Sequence, residues 1–189
     1  MAAVTQADAH RRRRRSRALL VLAMLCLACA PRPALAAPGT LELAVKASYL
    51  YKFAPFVQWP PRAFASSTSP FRICVAGDDA ISGALDQAVR GQRMQDHPIT
   101  VARLASLDSS AVANCQILFL GKSVTTELRG VAGQPVLTVT DRSRGGSGGI
   151  IQFVMQGSRV RFAVDMVAAN SAGIQISSKL LGLAVEVAR

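Results

Sequence analysis

Few residues in this sequence are of types that do chemistry, and their spacing argues against most reactions. The chain has two histidines, His10 and His97, and His97 is followed directly by Pro98. The letters Gly-x-Ser-x-Gly occur at Gly145-Gly146-Ser147-Gly148-Gly149, but the run leads into β-branched Ile150-Ile151 instead of a helix. It is no strand-to-helix elbow, and a nucleophile–base pair has no support. Gly121-Lys122-Ser123 follows a strand-like run and precedes a helical one, as a phosphate-binding loop does. That motif needs a glycine five residues before its second glycine, where Gln116 stands, so Ser123 reads better as a helix cap. Gly146-Ser147-Gly148-Gly149 looks like part of a dinucleotide fingerprint but leads into β-branched Ile150-Ile151 instead of a helix, so it reads as a loop.

The acids show no spacing that demands paired general acid–base work. Asp78-Asp79, after a strand, could hold a metal or ligand, because open sheets bind there; a helix start favoured by the dipole is the simpler reading. Arg142 and Arg144 beside the glycine loop, with Arg159 and Arg161 nearby in sequence, read either as an anion-binding or partner-facing patch or as solvated charge. No Cys-x-x-Cys occurs in residues 37–189, and neither a metal nor a cofactor is called for. Catalysis is therefore not expected.

Residues 1–36 have the layout of an export signal. Arg11 to Arg15 and Arg17 precede the apolar run Ala18–Ala30, and Ala34-Leu35-Ala36 supplies the small-x-small pattern of a cleavage site. The run is too short for a comfortable membrane span. The whole chain carries 22 basic and 11 acidic residues; the segment removes seven and one, which leaves 15 and 10 over residues 37–189. A mature chain this mildly basic does not point to nucleic acid. Of four cysteines, Cys74 and Cys115 remain, and in an oxidising compartment an isolated pair is expected to be bridged.

The elements that would position these residues begin with a dense aromatic stretch. Five of the ten aromatic residues lie in 45–61: Tyr49, Tyr51, Phe53, Phe56 and Trp59. Apolar residues at 41, 45, 49, 53, 56 and 57 recur at helical spacing and predict a helix with a wide buried face. Glu42 and Lys46, four apart, suit an exposed flank of it. Pro55 disrupts the helix and Pro60-Pro61 end it. The aromatics are expected to serve as core, not as a ligand-stacking platform.

Strand-like runs follow at 71–76, 99–104, 115–120 and 135–140, with helical patterns at 80–90, 106–114 and 122–131 between them. Nearly continuous apolar strands alternating with helices predict an α/β fold, a single domain over 37–189 with a mostly parallel sheet of about four strands flanked by helices. Residues 150–155 and 159–165 then read as an antiparallel hairpin. Val160, Phe162 and Val164 would face inward, and Arg159, Arg161, Ala163 and Asp165 would face solvent. Ser177 reads as the N-cap of a last helix whose Leu180, Leu181, Ala184 and Val187 face the sheet.

Taken in order, YLYKFAPFVQWP, FRICVAG, CQILFLG, PVLTVTD, GGIIQFV and AGIQISSKLLGLA resemble the YfiR family of bacterial periplasmic proteins over essentially the whole mature chain. The resemblance implies a compact α/β domain, often dimeric. It implies a repressor that binds the periplasmic domain of a membrane-anchored diguanylate cyclase, lowering cyclic-di-GMP and biofilm formation. Such a repressor is itself withdrawn by an outer-membrane lipoprotein and responds to the redox state of its cysteines. By similarity, Cys74 and Cys115 match the family's disulfide pair; a second pair found in some members near the glycine loop is absent. The hairpin strand usually reads Phe-Glu-Ile-Asn and is here Phe162-Ala163-Val164-Asp165. The resemblance places partner contacts on and after this strand, at Arg161, Ala163, Asp165 and Ile174. Two other readings stay open: a sensor of a small, anionic ligand at the strand ends, favoured by an apolar pocket with arginines, and an enzyme, favoured by a buried acid beside His97.

Overall fold

In a computed structural model, residues 38–121, 128 and 130–189 are described. The expected signal segment lies outside them, as does most of the helix expected over 122–131, with its Ser123 cap. Helix α1 (Pro38–Lys52) opens the fold and ends before Pro55, which sits in the following tight turn. Its buried stripe is rotated from the predicted one. Lys46, Ala47, Leu50 and Phe53 are buried, whereas Leu41 is 62% exposed and Val45 and Tyr49 lie at the border. The aromatics do serve as core: Phe53 stacks on Tyr49 at 5.8 Å and meets Phe162 edge-on at 5.2 Å.

The next elements in chain order are β1 (Val57–Gln58), β2 (Phe71–Ala76), α2 (Asp79–Ala88), β3 (Arg93–Met94), β4 (His97–Leu104), α3 (Ser109–Val112) and β5 (Ile117–Leu120). Then come β6 (Leu137–Asp141), β7 (Ile151–Gln156), β8 (Arg159–Asp165), α4 (Met166–Ser171), β9 (Gln175–Ile176), α5 (Ser178–Leu181) and β10 (Glu186–Ala188). The main sheet runs β10-β8-β7-β6-β5-β2-β4-β3, eight strands where about four and a hairpin were expected. Strands β4, β2, β5, β6 and β7 are mutually parallel, while β8 runs antiparallel to β7 and β3 antiparallel to β4. The hairpin therefore continues the sheet.

Strand β7 joins that parallel set across only the residues 142–150. The register explains the short connection: Ile151 pairs with Val139, so the chain returns by only about two residues' rise. Gly145, Gly148 and Gly149 have φ of 82°, 72° and 86°, which side chains rarely adopt.

Side chains alternate across this sheet. One face carries Phe71, Ile73, Val75 and Phe119 and is covered by α1 and α2. The other carries Cys74, Ala76, Leu118 and Leu120 and packs on Leu107, Val112 and Val131. Both faces are buried, as continuous apolar strands require.

Two corrections concern the C-terminal part. Strand β8 does not have a solvated face throughout, because β10 pairs with it in parallel from Glu186↔Ala163 to Ala188↔Asp165. The last helix is only Ser178–Leu181, capped by Ser177 as expected, and Val187 belongs to β10 instead of that helix.

Candidate partner-binding edge

The four residues expected to contact a partner occupy quite different environments. Ala163 is 2% exposed, because β10 lies beside it and Gln152 of β7 on the other side. Ile174 is 1% exposed and belongs to the main core. Neither side chain is open to a partner directly, which corrects the expectation. Asp165 is half-buried and caps α4, its Oδ1 accepting the Ala168 N–H at 2.9 Å. Arg161 is half-buried near the hairpin end of β8.

What this region exposes instead is the outer edge formed by β10. The strand ends the sheet, so among the described residues one side of its backbone has no neighbouring strand, a template for an added chain. Among the described residues, three of the four large exposed apolar side chains lie near this edge: Val167 of α4 at 58%, and Leu183 at 62% and Val185 at 41% in the connection leading into β10. Helix α4 packs against β10, and the Val185 N–H donates to the Phe162 carbonyl at 3.0 Å, which fixes the segment onto β8. Glu186 anchors it further by accepting from Arg142 Nη1 at 2.9 Å, while Arg142 Nε donates to Gln152 Oε1 at 2.6 Å.

The arginines therefore do not form one patch. Arg142 is engaged with Glu186, and Arg144 donates to Asp78 Oδ2 at 2.7 Å. Among the described residues, the side chains of Arg159 and Arg161 make no hydrogen bond or ion pair, although both residues belong to the β7–β8 ladder.

The strand ends offer little room. The strand order places β2 and β5 at the topological switch point, where open sheets bind ligands. Here a Cβ on Gly121 would fall 2.2 Å from the Gly77 carbonyl oxygen, so the two chains pack directly together. Asp78 is the N-cap of α2, accepting from Ile81 N at 3.1 Å, in agreement with the helix-start reading. His97 lies in β4 rather than in a loop. Its Nδ1 is 2.6 Å from the Ser69 carbonyl oxygen and its ring stacks on Phe64 at 4.8 Å; neither neighbour is an acid.

Two features hold the scaffold behind the edge. Cys74 of β2 and Cys115, in the turn before β5, form a disulfide with Cα atoms 5.8 Å apart, both residues being buried. The second was not expected. Lys46 is fully buried and donates to Asp141 Oδ2 at 2.5 Å, to Glu42 and to Ser143 Oγ at 3.0 Å, so all three ammonium hydrogens have acceptors. Asp141 Oδ1 in turn accepts from the Ser143 amide at 3.0 Å and its hydroxyl at 2.6 Å. Glu42 and Lys46 do pair, but on the buried side of α1 rather than on an exposed flank. The i,i+4 spacing signals the pair; Asp141, 95 residues away in sequence, leaves no local trace.

Among the described residues, no helix is long and apolar enough to cross a membrane, and no group of three or more acids, cysteines and histidines could hold a metal ion. No curated protein matches the chain. A family model described as YfiR/HmsC-like matches residues 43–185, from within α1 to the residue before β10, and covers the disulfide, Lys46 with Asp141, and the β8 strand alike. The chain belongs to the YfiR/HmsC-like family.

Proposed function

We propose that this protein is a periplasmic regulatory protein that binds and represses a membrane-anchored diguanylate cyclase, lowering cyclic-di-GMP and biofilm formation. Membership of the YfiR/HmsC-like family is the observation that carries this reading. The partner is the periplasmic domain of the cyclase; an outer-membrane lipoprotein acts as antagonist, and the protein self-associates as a homodimer. Repression requires preferential affinity for the partner's inactive state and no reactive group, so the protein is not an enzyme. The binding surface is the β10 edge with Val167, Leu183 and Val185. Ala163, Asp165 and Ile174 support it from beneath, and Arg161 borders it. An exposed strand edge flanked by apolar side chains suits strand addition, in which main-chain bonds give affinity and side-chain pockets give specificity.

Deleting the gene is expected to raise cellular cyclic-di-GMP and surface attachment, and the wild-type chain restores both. The Leu183→Arg/Val185→Arg variant is expected to be exported and folded yet to leave cyclic-di-GMP high. A deletion that leaves cyclic-di-GMP unchanged overturns the repressor reading. A fully active edge variant overturns only the surface assignment. Export itself is checked by sequencing the periplasmic protein, which is expected to begin at Ala37.

A further inference from the structure

A cleft of about 610 Å³ lies between α1 and the β7–β8 hairpin, away from the closed strand ends and the disulfide. Its size is within the roughly 300–1,000 Å³ range of small-molecule sites. Val45, Tyr49, Met155 and Val160 give it an apolar lining, and Leu41 stands at its border with most of its side chain in solvent. Val160 is flanked in the chain by Arg159 and Arg161, which also line the cleft.

Among the described residues both arginines lack an acidic partner, as several others in the fold do; what sets them apart is that they line the cleft. Arg103, Arg142 and Arg144 each hold a carboxylate, at 2.5, 2.9 and 2.7 Å. Arg159 and Arg161 hold none among the described residues. The one acid that lines the cleft, Glu42, is already paired with Lys46. Two arginines without a carboxylate partner among the described residues thus line the cleft beside an apolar surface. Guanidinium forks bind carboxylates and phosphates in bidentate fashion and are weakly hydrated, so they suit an acid group at an apolar boundary.

We propose that this cleft binds a small amphipathic organic anion, its acid group taken by Arg159 and Arg161 and its apolar body laid on Val45, Tyr49, Met155 and Val160. The site is independent of the repressor reading, because it requires neither the cyclase nor the β10 edge.

Decanoate titrated into the exported, processed protein and followed by amide NMR tests it. Saturable shifts are expected in the first turns of α1 and in the β7–β8 hairpin. Decanol, which lacks the charge, and inorganic phosphate, which lacks the tail, are each expected to bind at least about tenfold more weakly. The Arg159→Ala/Arg161→Ala variant, altered only at side chains without a protein partner, is expected to stay folded and to weaken decanoate by about tenfold or more. Four results overturn the proposal: no saturable shift, unchanged affinity in the arginine variant, phosphate binding as tightly as decanoate, or cleft signals that change with protein concentration alone, which would assign the cleft to a second copy of this chain.

Discussion

Lys46 shows how one residue ties distant parts of this fold. A fully buried ammonium is costly unless paired and hydrogen-bonded, and Asp141, Glu42 and Ser143 meet that requirement. The same contacts join α1 to the end of β6, where the short crossover to β7 begins. Lys46→Ala would leave the Asp141 carboxylate buried without its cation, and a loss of about 3–5 kcal/mol is expected in urea unfolding. Lys46→Met/Asp141→Leu removes both charges and is expected to cost less than the sum of the single changes, a coupling that a double-mutant cycle reads directly. Asp108 is a different case, on the surface. Hydrogen bonds from Ser110, then Ser106 and the Ala111 amide, hold its carboxyl well below the usual carboxylate range. A depressed folded pKa favours the folded state above the unfolded value and loses that effect as pH falls. Asp108→Ala is therefore expected to destabilise at neutral pH, and its deficit to shrink only once pH drops below about 3.8, measured as urea midpoints across an acid series.

Elements show where sequence patterns suffice and where they do not. The parallel strands were legible because both faces are buried, so FRICVA, ILFL and LTVTD read as nearly continuous apolar or β-branched runs, broken only by Arg72 and Asp141. Strand β10 was not, because Glu186-Val187-Ala188 is too short for a period and gains its identity from pairing with β8. That missing neighbour is why Arg159–Asp165 looked half-solvated. The rotation of α1 was hidden for a related reason: a lysine in a buried stripe counts as polar until its partner across the fold is known. Two glycines test the packing. In α2, a Cβ on Gly83 meets nothing within 4 Å, so Gly83→Ala should stabilise by about 0.5–1 kcal/mol through helix propensity. Gly121→Ala instead drives a methyl into the Gly77 carbonyl and should cost at least about 1–3 kcal/mol, unless β5 shifts. Thermal unfolding of both variants gives the two signs. Ala163→Arg forces a guanidinium onto the sheet face among the neighbouring side chains of Gln152 and Glu186; faster amide exchange at Glu186–Ala188 is the expected signature of a displaced edge.

At the scale of the whole molecule, the disulfide and the candidate partner edge lie at separate places in one sheet. Cys74–Cys115 joins β2 to the turn before β5, whereas the edge is built on β8 and β10, with β7 and β6 between. The bridge closes a 41-residue separation, which in the chain-entropy model stabilises by up to about 4 kcal/mol by restricting the unfolded chain. That effect acts on the unfolded state and need not reshape β8 or β10. Cys74→Ala/Cys115→Ala is thus expected to lose about 2–4 kcal/mol, with a fall in Tm of roughly 5–15 °C. Below its lowered Tm it should still restore low cyclic-di-GMP in the deletion strain. Both cysteines are buried, so a reductant reaches them chiefly when the chain opens. Thiol release in the native protein is then expected to be slow and to speed up with urea in step with unfolding. A variant that stays folded yet no longer represses, or a bridge reduced quickly in the native state, would assign the disulfide a switching role instead of a structural one.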